Sequence, residues 1–382
     1  MMIYFDFAAT TPLDIEAAEV YVKVATDFFG NSNSLHDIGS QAAGLLENCR
    51  EELAALVGID KTGLFFTSGG SEGNFLAIEA LLSTMEKEKN HIITSIAEHS
   101  SIHGALKRLE KCGYTVTYLP FTEEGIIDLD KAAAALKPET ALLTIQHVNS
   151  EIGAIQPIEE IAKICRANNI LFHSDFVQSF GKLDLKKVAP LVSSFSFSGH
   201  KIYGPKGTGA VYINPQIGWN SFFPGTTHEK GLRPGTVNVP AIVAMTAAAQ
   251  KIIAQAGEAE KKFESLRQVF IETISPIKEW VNIIEAKSDN QLPSIIGLTI
   301  SGIEGQLLML ECNRQGFAIS TGSACQVGMQ TPSKTMEALG LENEQAKEFI
   351  RISFGKTTTI EEVQKLGETI TNIVNNIKKL HY

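Results

Sequence analysis

The sequence predicts an α/β fold with a mostly parallel sheet flanked by helices, joined to a smaller α+β domain. Three observations carry this. Up to about residue 250, short apolar and β-branched runs alternate with amphipathic stretches, the rhythm of strands joined by crossover helices. Beyond that point the texture changes to a long charged helical stretch, short strands and a terminal helix. With 382 residues, 44% hydrophobic and 20% charged, the chain has the size and composition for a large core in two lobes. Residues 13–250 are assigned to the large domain; 1–12 and 251–382 form the small one. No internal repeat or low-complexity linker interrupts the chain, so the lobes are expected to pack closely.

In order, "LFFTSGG" reads as a strand running into a turn, and "EGNFLAIEALLSTMEKE" as the helix after it. "HIITS", "TVTYLP" and "ALLTIQHV" read as strands and "IEEIAKICRANN" as an amphipathic helix. "ILFHSD", "SFSFSG" and "GAVYI" are strands again, the Ser–Phe alternation being that of a strand half-facing a core. "GEAEKKFESLRQVFIETI" then opens the small domain, with "IIGLTI" and "FAIST" as its strands.

A net charge of −10 argues against nucleic acid or an anionic membrane as partner. No apolar run reaches the length of a membrane span, and "MMIYFDFAATTP" lacks the basic start and apolar middle of an export signal, so a cytoplasmic protein is expected. Five scattered cysteines without a CxxC pair suggest neither a disulfide framework nor a zinc site.

Ligands of open α/β sheets collect at the carboxyl ends of the strands, and four such ends carry useful chemistry. "FFTSGGSEGN" sends Thr67, Ser68, Gly69, Gly70 and Ser71 into a helix, where small residues, hydroxyls and free N–H groups suit a phosphate. It is neither a dinucleotide nor a nucleoside triphosphate fingerprint. "ILFHSDFVQSFG" places Asp175 past an apolar run, with Gln178 three residues on. A buried carboxylate needs a cationic or N–H partner; beside a phosphate cup and Lys201 of "SFSGHKIYGPKG", the partner indicated is a protonated pyridine nitrogen. Pyridoxal 5'-phosphate requires that set of lysine, acid and phosphate site, with Ser198 and His200 as further phosphate donors. "HIITSIAEHSSIHG" offers His99 as a ring above the cofactor; His99 and His103 lack a third ligand for a metal, and His103 reads as structural. "IQHVNSEIG" offers Asn149, either to a cofactor or substrate or as a turn residue. Cys325, in "AISTGSACQVGMQTPSKTM", has the small, glycine-bearing surroundings of an exposed reactive thiol, whereas Cys49 and Cys165 read as packed.

Ten segments in order resemble the NifS/IscS cysteine desulfurases, which are fold-type I pyridoxal phosphate enzymes. They are "YFDFAATTP", "GNSNSLHDIG", "FFTSGGSEGN", "EHSSI", "HVNSEIG", "HSDFVQS", "SFSGHKIYGPKG", "HEKGLRPGT", "STGSACQ" and "IRISFGKTTT". The resemblance implies covalent attachment of the cofactor at Lys201, Asp175 on the ring nitrogen, His99 as stacking acid/base and Gln178 on the ring hydroxyl. It implies cofactor or substrate contacts from Asn149, and phosphate contacts from Gly70, Ser71, Ser198 and His200. Thr236 is implied to reach the phosphate of a partner subunit in a homodimer, Arg351 to bind the substrate carboxylate, and Cys325 to take the sulfur of L-cysteine as a persulfide. A sulfur-acceptor or iron–sulfur scaffold protein is the implied partner. An aminotransferase or a selenocysteine lyase of the same fold is the alternative. Phe7, Phe176 and "FPGTTHEKG" depart from the usual pattern and bear on the substrate pocket and dimer rim. With "DFVQS" they resemble the branch of Bacillus-type bacteria linked to NAD biosynthesis, whose sulfur serves the cluster of quinolinate synthase.

Overall fold

Apolar runs of four to six residues become buried strands, and the longer runs with helical period become helices. The computed structural model describes residues 2–322 and 333–380. The chain opens with β1 (Ile3–Tyr4), α1 (Ile15–Asp27) and α2 (Asp37–Val57). Then come β2 (Leu64–Thr67), α3 (Gly70–Leu82), β3 (His91–Ser95), α4 (Ser100–Lys111), β4 (Thr115–Leu119) and α5 (Leu129–Ala134). They are followed by β5 (Thr140–Thr144), α6 (Ile158–Ala167), β6 (Leu171–Asp175), β7 (Ser194–Ser198), β8 (Gly209–Ile213) and α7 (Val239–Ala254). The last part holds α8 (Ala256–Thr273), β9 (Val281–Ile284), β10 (Ile295–Ile300), α9 (Gly305–Arg314) and β11 (Phe317–Ala318). It ends with α10 (Lys334–Ala338), α11 (Asn343–Lys347), β12 (Phe349–Ser353) and α12 (Ile360–Leu380).

A seven-stranded sheet runs in the order β2-β8-β7-β6-β5-β3-β4. β7, β6, β5, β3 and β4 are parallel, and β8 runs against both β7 and β2. β2 therefore points the same way as the parallel strands. Thr67, Ser95, Thr144, Asp175 and Ser198 all finish at one edge of the sheet, the edge where α/β folds place their sites. Apolar clusters lie on both faces, one including Leu53, Phe66, Phe172 and Phe197, the other Phe65, Ile78, Ile92 and Leu142. Burial of both faces explains why these strands read as near-continuous apolar runs.

The smaller part is built on an antiparallel sheet, β12-β10-β9, with α8, α9 and α12 packed on it, while β1 pairs in parallel with β11. Phe5 shares a core with Phe270, Leu298, Ile352 and Leu366. The amino-terminal strand thus folds with residues hundreds of positions later and carries the following segment, Asp6–Thr11, across to the large sheet. Among the described residues no single helix is long and apolar enough to cross a membrane; α7 and α8 together are, but across a 66° bend.

Two local expectations need correction. The Ser–Phe alternation of β7 does not separate a solvent face from a core face. Ser194, Ser196 and Ser198 are as buried as Phe195 and Phe197, because the serine face meets polar side chains of the layer above it. Phe176 does not shape the ligand pocket. It is fully buried, stacks on Phe195 at 4.8 Å and tilts against His147 at 5.0 Å.

Candidate active site

The turn between β2 and α3 is built for close approach. Gly69 holds φ +155°, a conformation that side-chain-bearing residues rarely adopt. A Cβ on Gly70 would come within 2.3 Å of Val177 Cγ2, and one on Gly73 within 2.9 Å of Ser196 Cβ, so small residues allow α3 to settle onto β6 and β7. Gly69 caps the helix without any side-chain hydrogen bond, leaving the first N–H groups of α3 directed at the depression above the sheet edge.

That depression is lined by Gly70, Ser71, His99, Asp175, Gln178, Ser198, His200 and Lys201. Eight of the residues singled out in the sequence, from four separate segments, therefore meet in one place. Asp175, at the end of β6, is buried and accepts from Asn74 Nδ2 at 2.7 Å and from the Val177 N–H at 2.8 Å. Both donors are uncharged, so the carboxylate is well aimed but not neutralised by them. Lys201 follows β7 and donates to the carbonyls of Ala8 and Ala9, the latter at 2.8 Å. The segment brought over by β1 thereby fixes the amine at the rim.

His99 caps α4. Its Nδ1 lies 2.8 Å from Ser101 Oγ and accepts from the Ser101 N–H at 3.2 Å. Its ring is open to solvent on the pocket side. Surrounding protein lowers its pKa, Lys201 adds to the lowering, and Asp175 opposes it. His200 bonds Thr10 Oγ1 at 3.0 Å, and burial with the nearby Lys201, Lys206 and Lys182 pushes its pKa down to about 4. It acts at neutral pH as an uncharged imidazole. Gln178 donates to the Ala8 carbonyl at 2.8 Å and accepts from Lys182 Nζ at 2.7 Å.

Asn149, Arg351 and Thr236 do not line the depression. Asn149 Oδ1 accepts from the N–H groups of Glu151 and Ile152, and its Nδ2 donates to Thr335 Oγ1 at 3.0 Å, the bonding of a turn asparagine. Arg351 stands one layer behind the wall. Its Nη1 donates to the carbonyl of Ser150, which does line the depression, at 3.0 Å; Nη2 pairs with Asp6, and the buried Nε has no partner among the described residues. Thr236 is exposed on the loop before α7. That loop is held by Glu229, which with Lys230 adopts left-handed φ values of 43° and 52°. Each such residue costs about 1 kcal/mol or more. The buried Glu229 carboxylate offsets this by pairing with Arg50 at 3.0 and 3.1 Å and accepting from the Phe66 N–H at 2.8 Å. Cys325 lies outside the described residues.

Reasoning from sequence passed over Asp6, Asn74, Ser101 and Lys182. Lys182 is displaced far from a surface lysine: burial, Lys201 and Arg351 push its pKa down to about 7. Phe7, unlike Phe176, is near the site. It lines a second cavity, behind Lys201, together with Lys182 and Lys356. Among the described residues no cluster of His, Cys, Asp or Glu could hold a metal ion.

The donor set fits pyridoxal phosphate on its own chemistry: an uncapped helix end with hydroxyls for a phosphate, a buried carboxylate with uncharged donors for a protonated ring nitrogen, and an amine at the rim. These parts, at the carboxyl edge of a mostly parallel sheet, define a fold-type I pyridoxal phosphate enzyme. Residues 3–366 match the family "Aminotransferase class-V". A relative from Bacillus subtilis, "Putative cysteine desulfurase NifS", is 47% identical over 97% of this chain and 94% of its own length. "Cysteine desulfurase IscS" of Rickettsia bellii is 36% identical over 99% and 92%. Among solved structures, a "NIFS-LIKE PROTEIN" superposes with a TM-score of 0.90 at 31% identity, covering 98% of this chain and 100% of that one. "SspA in complex with cysteine" gives 0.79 at 34%, covering 92% and 98%. The chain belongs to the aminotransferase class-V family, within its NifS/IscS-like branch.

Proposed function

We propose that this chain is a pyridoxal phosphate-dependent cysteine desulfurase that converts L-cysteine to L-alanine and retains the sulfur as a persulfide on Cys325. The observation that supports it most is the meeting of Lys201, Asp175, His99 and the uncapped end of α3 in one depression. The names of the relatives at 36–47% identity, and the cysteine named with one solved structure, support the substrate.

In this proposal Gly70, Ser71, Ser198 and His200 hold the phosphate, Asp175 keeps the ring nitrogen protonated, and Gln178 turns its remaining N–H to the ring hydroxyl. When bound, the cofactor supplies an electron-accepting ring that stabilises the charge left as the substrate's α-proton departs. Lys201 Nζ, held at the rim by the Ala8 and Ala9 carbonyls, would take that proton. His99 Nε2 carries protons over the open face of the site. The substrate carboxylate is assigned to Arg351 by the family resemblance alone; in the structure its guanidinium is turned to Ser150 and Asp6 behind the wall, and it would have to exchange the Ser150 carbonyl for the substrate. Asn149, just behind, steadies that wall. The Cys325 thiolate attacks the substrate sulfur, so thiol and L-cysteine become persulfide and L-alanine with atoms conserved.

The test is product analysis with L-cysteine as sole substrate. L-alanine and protein-bound sulfur in equal amounts are expected on the first turnover. A keto acid with the cofactor left as its amine would move the chain to the aminotransferases, and preference for selenocysteine would make it a lyase for that substrate.

We further propose a homodimer in which Thr236 reaches the phosphate of the second copy, supported by its exposure on an anchored loop away from its own depression. Sedimentation of the holoenzyme is expected at twice the chain mass; a fully active monomer sinks this. The sulfur is proposed to pass in the cytoplasm to an acceptor of iron–sulfur assembly, in NAD biosynthesis that of quinolinate synthase. The 47% identity to a relative from Bacillus supports the branch on which this reading rests. Radiolabelled sulfur on Cys325 that never moves to purified quinolinate synthase would remove the link while leaving the desulfurase.

A further inference from the structure

Asn74 sits just over one turn into α3, immediately before the apolar run 75–78, and its side chain is fully buried. Every hydrogen-bonding position on it is used. Nδ2 donates to Asp175 Oδ2 at 2.7 Å and to Ser101 Oγ at 3.0 Å. Oδ1 accepts from His173 Nε2 at 3.1 Å and from the Ser196 hydroxyl. The Asp175 carboxylate can only accept, which fixes the orientation of the amide. His173 is kept a neutral donor by burial, which pushes its pKa down to about 3, and its Nδ1 lies 2.8 Å from Ser194 Oγ.

The chain continues in one direction. Ser101 Oγ accepts from Asn74, so its own proton is directed at His99 Nδ1, 2.8 Å away. The Ser101 N–H reaches the same nitrogen. A backbone N–H only donates; Nδ1 is therefore the unprotonated nitrogen and the ring proton sits on Nε2. The helix whose first turn forms the phosphate cup thus also reaches the carboxylate at the end of β6 and, through one hydroxyl, the ring that caps α4.

We propose that Asn74, acting through the Ser101 hydroxyl, is a positioning residue that fixes the aim of the Asp175 carboxylate and, together with it, stabilises the neutral ring of His99 in the tautomer that the Ser101 N–H sets. This rests on the roles given above to Asp175 and His99. The alternative, a buried polar network that only holds α3 to the sheet, predicts no effect on the ring. The charged groups acting on His99 are Asp175 from β6 and Lys201 after β7; the adjacent Glu98 is buried, its pKa raised to about 8, and turned to Ser95 and the Gln146 N–H. Losing the hydroxyl donor removes a bond to the neutral ring, so the pKa of His99 must rise.

The test uses histidine-labelled holoenzyme followed by nitrogen NMR, with the His99 signal identified by its loss in His99→Gln. Wild type is expected to show the Nε2–H tautomer. Ser101→Ala is expected to raise the His99 titration midpoint by roughly half to one pH unit, to shift the acid limb of alanine formation the same way, and to leave KM within about twofold. Ser101→Thr should restore both. Asn74→Ala, which does not touch the ring, should shift it in the same direction, and the double variant should go no further than Ser101→Ala alone. An unchanged midpoint in Ser101→Ala, or strictly additive shifts, overturns the proposal; the tautomer itself should persist in Ser101→Ala, which keeps the backbone N–H. If Asn74→Ala does not fold, the Ser101 pair still decides. Full activity of His99→Gln would instead sink the role of His99, and the ring's titration would still report on the chain of bonds.

Discussion

Cys325→Ser is expected to bind its cofactor, change colour on addition of L-cysteine and form almost no alanine. The two halves of the chemistry separate because they use different residues. In the proposed mechanism, loss of the α-proton depends on Lys201, Asp175, His99 and Arg351, which the substitution does not touch. Transfer of sulfur needs a thiolate, and a serine hydroxyl is barely ionised near neutral pH and attacks sulfur poorly. Alanine formation should fall to roughly 1% or less, and mass spectrometry should find no added sulfur on the protein. Wild-type alanine output from Cys325→Ser, with an acceptor thiol present, would remove Cys325 from the mechanism.

The other thiols serve as controls, with one adjustment. Cys49, Cys165 and Cys312 are buried, and burial raises the thiol pKa of each, to about 12 for Cys165 and Cys312, so they hold little thiolate. Cys112 is exposed at the end of α4 and is not a packing residue. Cys112→Ser is therefore the control that tests exposure without disturbing a core.

The sheet was legible because each strand is a short buried run between turn residues, and strands buried on both faces carry a strong signal. The depression was legible because its parts sit at strand ends: Lys201 after β7, Asp175 closing β6, Gly70 opening α3. What escaped is long-range. Phe176, beside Asp175, could have faced ligand or core, and only the packing of β6 against β7 turns it to Phe195. The serines of β7 looked like a wet face because alternation reports the difference between two faces and not what covers either of them. Asn74 did leave a signal: an asparagine amid apolar residues of a helix is a poor helix former that needs buried partners. Those partners, Asp175 and Ser101, lie 101 and 27 residues away, and no local pattern names them. Asp6 escaped for the same reason, since its pairing with Arg351 spans 345 positions.

Lys201→Ala should abolish both the reaction and the covalent hold on the cofactor, the largest single loss expected in this protein. The wild-type holoenzyme is expected to be yellow and to keep its cofactor through borohydride reduction and denaturation; the variant should release it. Alanine formation should fall by about four orders of magnitude or more, since amine and proton carrier are lost together. Lys182 is the rival amine, because its pKa of about 7 makes it a ready nucleophile. Geometry decides against it: Lys182 Nζ is bonded to Gln178 Oε1, and Lys182 lines the cavity behind Lys201, not the depression with Asp175. Lys182→Met should therefore keep the covalent linkage while loosening Gln178. The charge removed from position 201 has a second reporter. Lys201 helps hold down the pKa values of His200 and Lys182, after burial in each case, so both must rise in Lys201→Ala. A Lys201→Ala protein that still fixes cofactor on reduction, with the His200 titration unmoved, would show that Lys201 is not the amine of this site, and a Lys182→Met protein that lost the linkage would name its replacement.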